Sequence, residues 1–252
     1  ELGLTYFDGS TDGIYWNESA YYEFTSNEID RIYDATQSLF KLCLEAIQKI
    51  IDNNWFSKFD INDDIAAQIK RSWEMDSPTL YGRFDLTIGS DGNYKMMEFN
   101  ADTPVALFEA SIIQWDWLKS KFPQLEQYNS IHETLLEQFS YIKNRLPLYS
   151  KLYFTSVDDT PEDLITTFYL ISLAAQSGID ADFIVIDDIG FDSSRNSFTD
   201  LHENKIDHIF KLYPWEWLVE EEFSQHAFTS MTTWIEPVWK MLLSNKAILP
   251  IL

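Results

Sequence analysis

The chain has one cysteine, Cys43, among 252 residues. That excludes an internal disulfide framework and fits a reducing compartment, the cytoplasm. Cys43 falls on an apolar helical stripe, as a core residue does. Basic residues are also few: 18 Lys and Arg stand against 41 Asp and Glu, a net charge of −23. Such a surface repels nucleic acid and anionic membranes and attracts cationic partners such as amines. No apolar run approaches membrane-spanning length, and no signal peptide is visible. There is no Walker A sequence, no G-x-S-x-G and no internal repeat. The turn Ser156-Val157-Asp158-Asp159 has two acids and no glycine, so it cannot cradle a dinucleotide phosphate, and nicotinamide chemistry is excluded. His132, His202, His208 and His226 lack metal-ligand spacing. Hydrophobic residues, at 45% with nine Trp and 18 Phe, are ample for a sizeable core. The first residue is Glu1 rather than Met, and residues 247–252 are apolar with no polar tail, which suggests a piece of a longer protein.

The most informative stretch runs from Gly82 to Pro104 and reads as a β-hairpin. Asp91-Gly92 supplies the φ > 0 geometry of a two-residue type I′ turn. That loop sets the register: Phe84 opposite Phe99 and Leu86 opposite Met97 on an apolar face, Asp85 opposite Glu98 and Arg83 opposite Asn100 on the other. Two carboxylates directly across a ladder repel each other, so positive charge must offset them. A divalent cation does so, with Asp85, Glu98 and the neutral carbonyl of Asn100 as ligands, since Mg²⁺ takes one or two carboxylates together with substrate phosphates. Arg83 adds a fork for phosphate or carboxylate. The plainer reading is a solvated polar face on which Arg83 neutralises both acids.

After the hairpin, Thr103 reads as an N-cap and Pro104 as the first helical residue, with Val105, Phe108, Ile112 and Trp115 at helical spacing. A helix N-terminus there would attract a substrate carboxylate or phosphate, and makes Asp102 and Thr103 candidate substrate contacts. Elsewhere, residues 1–24 read as irregular. Thr25, the N-cap, and Glu28 form a capping box, with Phe24 and Ile29 as a staple, for a helix whose apolar positions run from Ile29 to Ile50 and which ends at Asn53-Asn54. Helices follow at about Asp63 to Trp73 and Ser130 to Leu146. Then comes a β-α-β pattern: strand Leu152–Thr155, a helix opened by Pro161 and closed at Gly178, and strand Phe183–Ile186. It implies a parallel sheet. Residues 187–201 read as a loop or hairpin, His208–Leu212 as a strand, and Pro214 as a helix start. Lys246 edges a final apolar run, where it could reach a phosphate as a point charge or snorkel to solvent.

Three ordered segments, Tyr81-Gly82-Arg83-Phe84-Asp85, Glu98 through Pro104, and Asn245 through Pro250, together resemble the glutathionylspermidine synthase family. Trp215-Glu216 and Glu236-Pro237-Val238-Trp239 fit as well. The likeness runs from about Trp16 to Leu252 and is nearest the stand-alone synthetase-like members. It implies a mixed α/β, ATP-grasp-like synthetase. Residues 1–146 would be a helical and hairpin portion carrying the metal and phosphate site. Residues 147–213 would be a pre-ATP-grasp α/β portion, and residues 214–252 the start of a nucleotide-binding portion. The resemblance implies a ligase that joins a carboxylate to an amine through an acyl phosphate, using ATP and Mg²⁺. Small acids and amines would be its partners, with peptides and polyamines among the candidates. By position, Asp85, Glu98 and Asn100 match the magnesium ligands. Arg83 matches the arginine at the transferring phosphoryl group, and Lys246 matches the first of two ATP-contacting lysines.

The bifunctional members carry serines where this chain has Thr103 and Val105. Val105 has no hydroxyl to donate, which argues against glutathione as the acid. The family continues beyond Leu252, so these 252 residues alone are expected to be inactive. Two other readings remain. One is a non-catalytic module of the same fold that binds a small amine or peptide. The other is a scaffold whose aromatic surface packs on a partner.

Overall fold

The computed structural model describes residues 15–252, so part of the irregular start expected over 1–24 lies outside the described residues. Helix α1 (Ser26–Asp52) opens on the expected capping box: the Glu28 amide donates to Thr25 Oγ1, and the Glu28 carboxylate accepts from the Thr25 amide at 2.8 Å. Its apolar stripe does not bury evenly. Only Cys43, Ala46, Ile47 and Ile50 in its second half are buried, while Tyr33 and Phe40 remain exposed. After a turn through Asn54 comes α2 (Asp63–Glu74), capped by the Asn62 side chain.

Strands β1 (Arg83–Ile88) and β2 (Tyr94–Asn100) pair antiparallel. The root has the expected register, with Arg83 opposite Asn100, Phe84 opposite Phe99 and Asp85 opposite Glu98. The tip does not. The loop is Ser90-Asp91-Gly92, closed by the Gly92 amide on Gly89 O at 2.9 Å and the Gly89 amide on Asn93 O at 2.8 Å. A bulge between Asp85 and Leu86 then pairs Leu86 with Met96, not Met97, and leaves Met97 exposed. One extra residue in the loop and one in the strand cancel, so the error at the tip does not reach the root. Gly92 alone in this loop has a positive φ, 74°. A Cβ there would meet only Arg31 Nη2 at 3.8 Å, so Gly92→Ala should cost about 1 kcal/mol through the backbone rather than through a clash. A thermal melt checks this.

The helix expected from Pro104 starts later, at Leu107, and Thr103 is not its N-cap. Tertiary partners take the carbonyls that a helix would have used. Tyr81 OH donates to Pro104 O at 2.6 Å and Arg83 Nη1 to Val105 O at 3.3 Å, while Ala106 turns to φ 61°. A π-helical turn (Glu109–Ile113) then leads into α3 (Gln114–Lys121).

Next come α4 (Ile131–Lys143), β3 (Lys151–Ser156), α5 (Pro161–Gln176) and β4 (Asp180–Val185), the expected β-α-β unit, with Gly178 at φ 77° just past α5. Residues 187–201 hold a hairpin of β5 (Gly190–Asp192) and β6 (Ser197–Thr199). Then follow β7 (His208–Leu212), α6 (Trp215–Leu218), α7 (Ser224–Thr229), β8 (Thr233–Ile235) and α8 (Met241–Ser244). Strands β4, β3, β7 and β8 form one parallel sheet in that order. Side chains alternate across it. Phe154 and Phe210 pack with Phe139 of α4 and with Leu170 and Leu173 of α5. Tyr153 and Ile209 point the other way, into the cluster that holds Ile47 and Ile50 of α1, Phe99 of β2, Trp215 and Trp239. The hairpin is thereby seated on the sheet through Phe99, and Phe84 stacks on Phe99 with ring centroids 3.9 Å apart. The chain is a mixed α/β fold, as its patterning suggested.

Candidate functional site

Seating the Phe84 and Phe99 face inward turns the opposite face outward, and with it Asp85 and Glu98. Each acid meets a cation. Arg83 Nε lies 2.9 Å from Asp85 Oδ1, with Nη2 at 3.4 Å from Oδ2, and this contact raises the arginine pKa further. Lys246 Nζ lies 3.2 Å from Glu98 Oε2. The four side chains keep between 31% and 71% of their exposure, so a ligand can reach them. Lys246 stands on a 3₁₀ turn (Lys246–Ile248) whose preceding residue, Asn245, accepts from the Ala247 amide at 2.9 Å and donates to Phe59 O at 3.4 Å. Lys246 is thus largely exposed, with its ammonium beside an acid of the hairpin.

Asn100 closes the loop after β2: its Oδ1 accepts from the Thr103 amide at 3.0 Å, and its Nδ2 reaches Thr103 O at 3.3 Å. An amide oxygen has two lone pairs, so one stays available to a cation. Among the described residues no group of three or more His, Cys, Asp or Glu side chains is placed to hold a metal ion. Two carboxylates and one amide oxygen match what magnesium asks of a protein when phosphates complete its shell, and both acids already sit where positive charge is required. The donor set fits the ion.

Asp102 departs from its expected place. It is buried, with Lys211 Nζ 2.6 Å from Oδ1 and the Trp215 amide 2.7 Å from Oδ2, so both oxygens face the interior and none faces a substrate. With the helix starting at Leu107, no helix N-terminus stands at Thr103 either.

Sequence spacing missed a second acidic group. Tyr15 OH donates to Glu109 Oε1 at 2.8 Å and approaches Glu162 Oε1 at 3.4 Å. Burial, then the nearby Glu109 charge, raises the Glu162 pKa, and Arg83 lies within electrostatic reach. Burial, followed by Glu162 and Asp159, pushes Asp163 up to about 6. Thr160-Pro161-Glu162-Asp163 read only as a helix start, where acids are ordinary. Nothing in the spacing linked residue 162 to residues 83 or 109.

The family model that matches this chain is described as glutathionylspermidine synthase preATP-grasp and covers residues 1–252. A Haemophilus influenzae protein provisionally named an acid–amine ligase is 40% identical over 98% of this chain. Trypanothione synthetase of Crithidia fasciculata is 23% identical over 83% of the chain, and the bifunctional glutathionylspermidine synthetase/amidase of Escherichia coli 23% identical over 92%. The chain spans 64% of the Haemophilus protein's length, 36% of the Crithidia protein's and 41% of the E. coli enzyme's. Among solved structures, a glutathione synthetase-like effector of Globodera pallida, in its apo form, superposes with a TM-score of 0.55 at 12% identity, over 89% of this chain and 55% of that one. That likeness speaks to the fold alone. With its whole length matched by the family model, the chain belongs to the glutathionylspermidine synthase family, in its preATP-grasp region.

Proposed function

We propose that this chain carries the metal- and phosphate-binding hairpin of an ATP-dependent carboxylate–amine ligase, in a protein of its relatives' length. The observation that carries the reading is the exposed quartet of Asp85 with Arg83 and Glu98 with Lys246 at the hairpin root. In such a reaction a substrate carboxylate oxygen attacks the γ-phosphorus of ATP, and the bond to the β-phosphate oxygen breaks. ADP leaves and an acyl phosphate forms. The amine then attacks the acyl carbon, the amine proton is lost, and phosphate departs from the tetrahedral adduct. Asp85, Glu98 and Asn100 would hold the magnesium that neutralises charge on the phosphates. Arg83 would orient the transferring phosphoryl oxygens with its planar fork, and Lys246 would meet a nucleotide phosphate as a point charge. Thr103, beside Asn100, is the remaining candidate for the acid substrate. No covalent nucleophile is needed.

One acid near Arg83 suits the amine. Glu162, within electrostatic reach of Arg83, and its neighbour Asp163 offer negative charge to a polyamine cation, on a protein whose bulk charge already attracts one. A pH dependence follows. Asp163 is ionised above about 6 and neutral below it, so amine affinity should fall as pH drops through 6. Stability runs the other way: folding raises this pKa, so the contribution is fully present below 3.8 and lost as pH rises through about 6. Spermidine titrations at pH 5 and pH 7.5, with Asp163→Asn removing the difference, check the first.

The test of function is a screen of the ligase-length protein. Acids and amines are paired with ATP and Mg²⁺, and ADP release is recorded. ADP release that requires both an acid and an amine supports the reading. Unchanged ligand binding in Asp85→Ala and Glu98→Ala, with no turnover in any pairing, would favour a non-catalytic binding module.

A further inference from the structure

Two motifs remain without a role, Trp215-Glu216 and Glu236-Pro237-Val238-Trp239, and both lead into a buried charged network. Before β1, the Leu80 and Tyr81 amides donate to Glu236 Oε1 at 2.9 and 3.0 Å. Lys240 Nζ bridges Glu236 Oε2 and Tyr81 O, 2.6 Å from each. After β2, Asp102 takes Lys211 Nζ and the Trp215 amide, and Ser244 Oγ accepts from the Ala101 and Asp102 amides, each at 3.1 Å. Trp215 joins the halves: its indole N–H donates to Glu236 O at 2.9 Å, and Lys211 Nζ lies 4.7 Å from its ring centroid. All four charged side chains are at most 5% exposed.

The geometry is unusual in what it grips. Tyr81 is two residues before Arg83, and Asp102 is two residues after Asn100. Lys211 ends within β7 and Glu236 directly follows β8, so both hairpin roots are tied to neighbouring strands of the parallel sheet. Apolar contacts could seat the hairpin, but they are non-directional and tolerate sliding. Charge-assisted hydrogen bonds to backbone N–H and C=O fix position and angle.

We propose that Glu236–Lys240 and Asp102–Lys211 are positioning pairs: they clamp the two roots of the hairpin to the sheet, so that Asp85, Glu98 and Arg83 keep one geometry toward a bound cation and phosphate. The inference rests on the ligase reading for what is positioned, though not for the clamp itself. Both pairs are buried. Both act through backbone, as outer partners of a metal site do, where substitution lowers metal affinity roughly 10–100-fold.

The test uses the full 252-residue chain with Mn²⁺ as probe. Lys240→Met leaves Glu236 charged and buried. The double variant Glu236→Gln with Lys240→Met removes both charges and is the one expected to fold if the single variant does not. Leu170→Ala, a core truncation on α5, serves as a variant lowered in Tm without touching the roots. Two quantities are read. Amide exchange between Arg83 and Asn100 should quicken about tenfold more than that of Phe154 and Phe210 in the sheet in the clamp variants. Mn²⁺ affinity, followed by broadening of hairpin amides, should fall at least tenfold in the clamp variants and hold in Leu170→Ala. Equal quickening across hairpin and sheet, or an affinity that follows Tm in all variants, would overturn the proposal. If the unsubstituted chain binds no Mn²⁺ at the hairpin, the ligase reading fails, and the exchange pattern still decides the clamp.

Discussion

Arg83→Ala should lower turnover of the ligase-length protein by roughly 10³-fold while leaving Mn²⁺ affinity at the hairpin unchanged or tighter. The first half follows from the role proposed for Arg83, since an arginine at a transferring phosphoryl group contributes on the order of 10³–10⁵ in rate. The second half follows from the ion pair. Arg83 Nε sits 2.9 Å from Asp85 Oδ1 and competes with any cation for that carboxylate. Removing the guanidinium frees an anion that faces Glu98 across the ladder, and a divalent cation then gains rather than loses. Arg83→Lys should recover only part of the rate, because an ammonium cannot present two parallel donors. Steady-state kinetics and a metal titration on the same preparations measure both halves. A structural role alone would weaken metal binding and turnover together, which is the result that contradicts this assignment.

Lys211→Met should destabilise the chain by about 3–5 kcal/mol. Lys211 is fully buried, and burial lowers its pKa while Asp102 pulls it back up. Methionine fills much of the space but leaves Asp102 with a single partner, the Trp215 amide, and an uncompensated charge in the interior. The size of the effect comes from that stranded carboxylate and not from the strength of the pair. Adding Asp102→Asn should therefore restore most of the loss, because it removes the charge and keeps an acceptor for Trp215. For a chain of this length the single variant should melt roughly 10 °C lower. A shift below about 2 °C, or a double variant less stable than Lys211→Met, would contradict the buried-pair assignment.

The hairpin root was legible because a period-2 pattern places alternate residues on opposite faces. Phe84 with Phe99 could only go inward, and Asp85 with Glu98 then had to go outward. The tip was not legible, since Asp-Gly suits a two-residue turn and also the last two places of a three-residue one. Pro104 misled for a different reason. Its φ fits a first helical turn, but the carbonyls of Pro104 and Val105 are claimed by Tyr81 and Arg83 from across the hairpin, and local propensity gives way. Asp102 looked like a site residue because it adjoins Asn100 in sequence. Its partner Lys211 is 109 residues away, and no spacing rule connects them. The three-residue strand β8 went unread within an apolar run, and the parallel sheet was recognised from its longer strands.

The most direct test of the hairpin as a metal site is Mn²⁺ titration of the ¹⁵N-labelled chain. An acidic protein with a net charge of −23 binds divalent cations weakly over its whole surface, so the pattern matters more than the fact of binding. Amides flanking Asp85, Glu98 and Asn100 should broaden first, at the lowest Mn²⁺, and Asp85→Asn with Glu98→Gln should abolish that early phase alone. Broadening that begins elsewhere, for instance at Asp182, Asp188 and Asp200 beside β4, or that survives both substitutions, would contradict it.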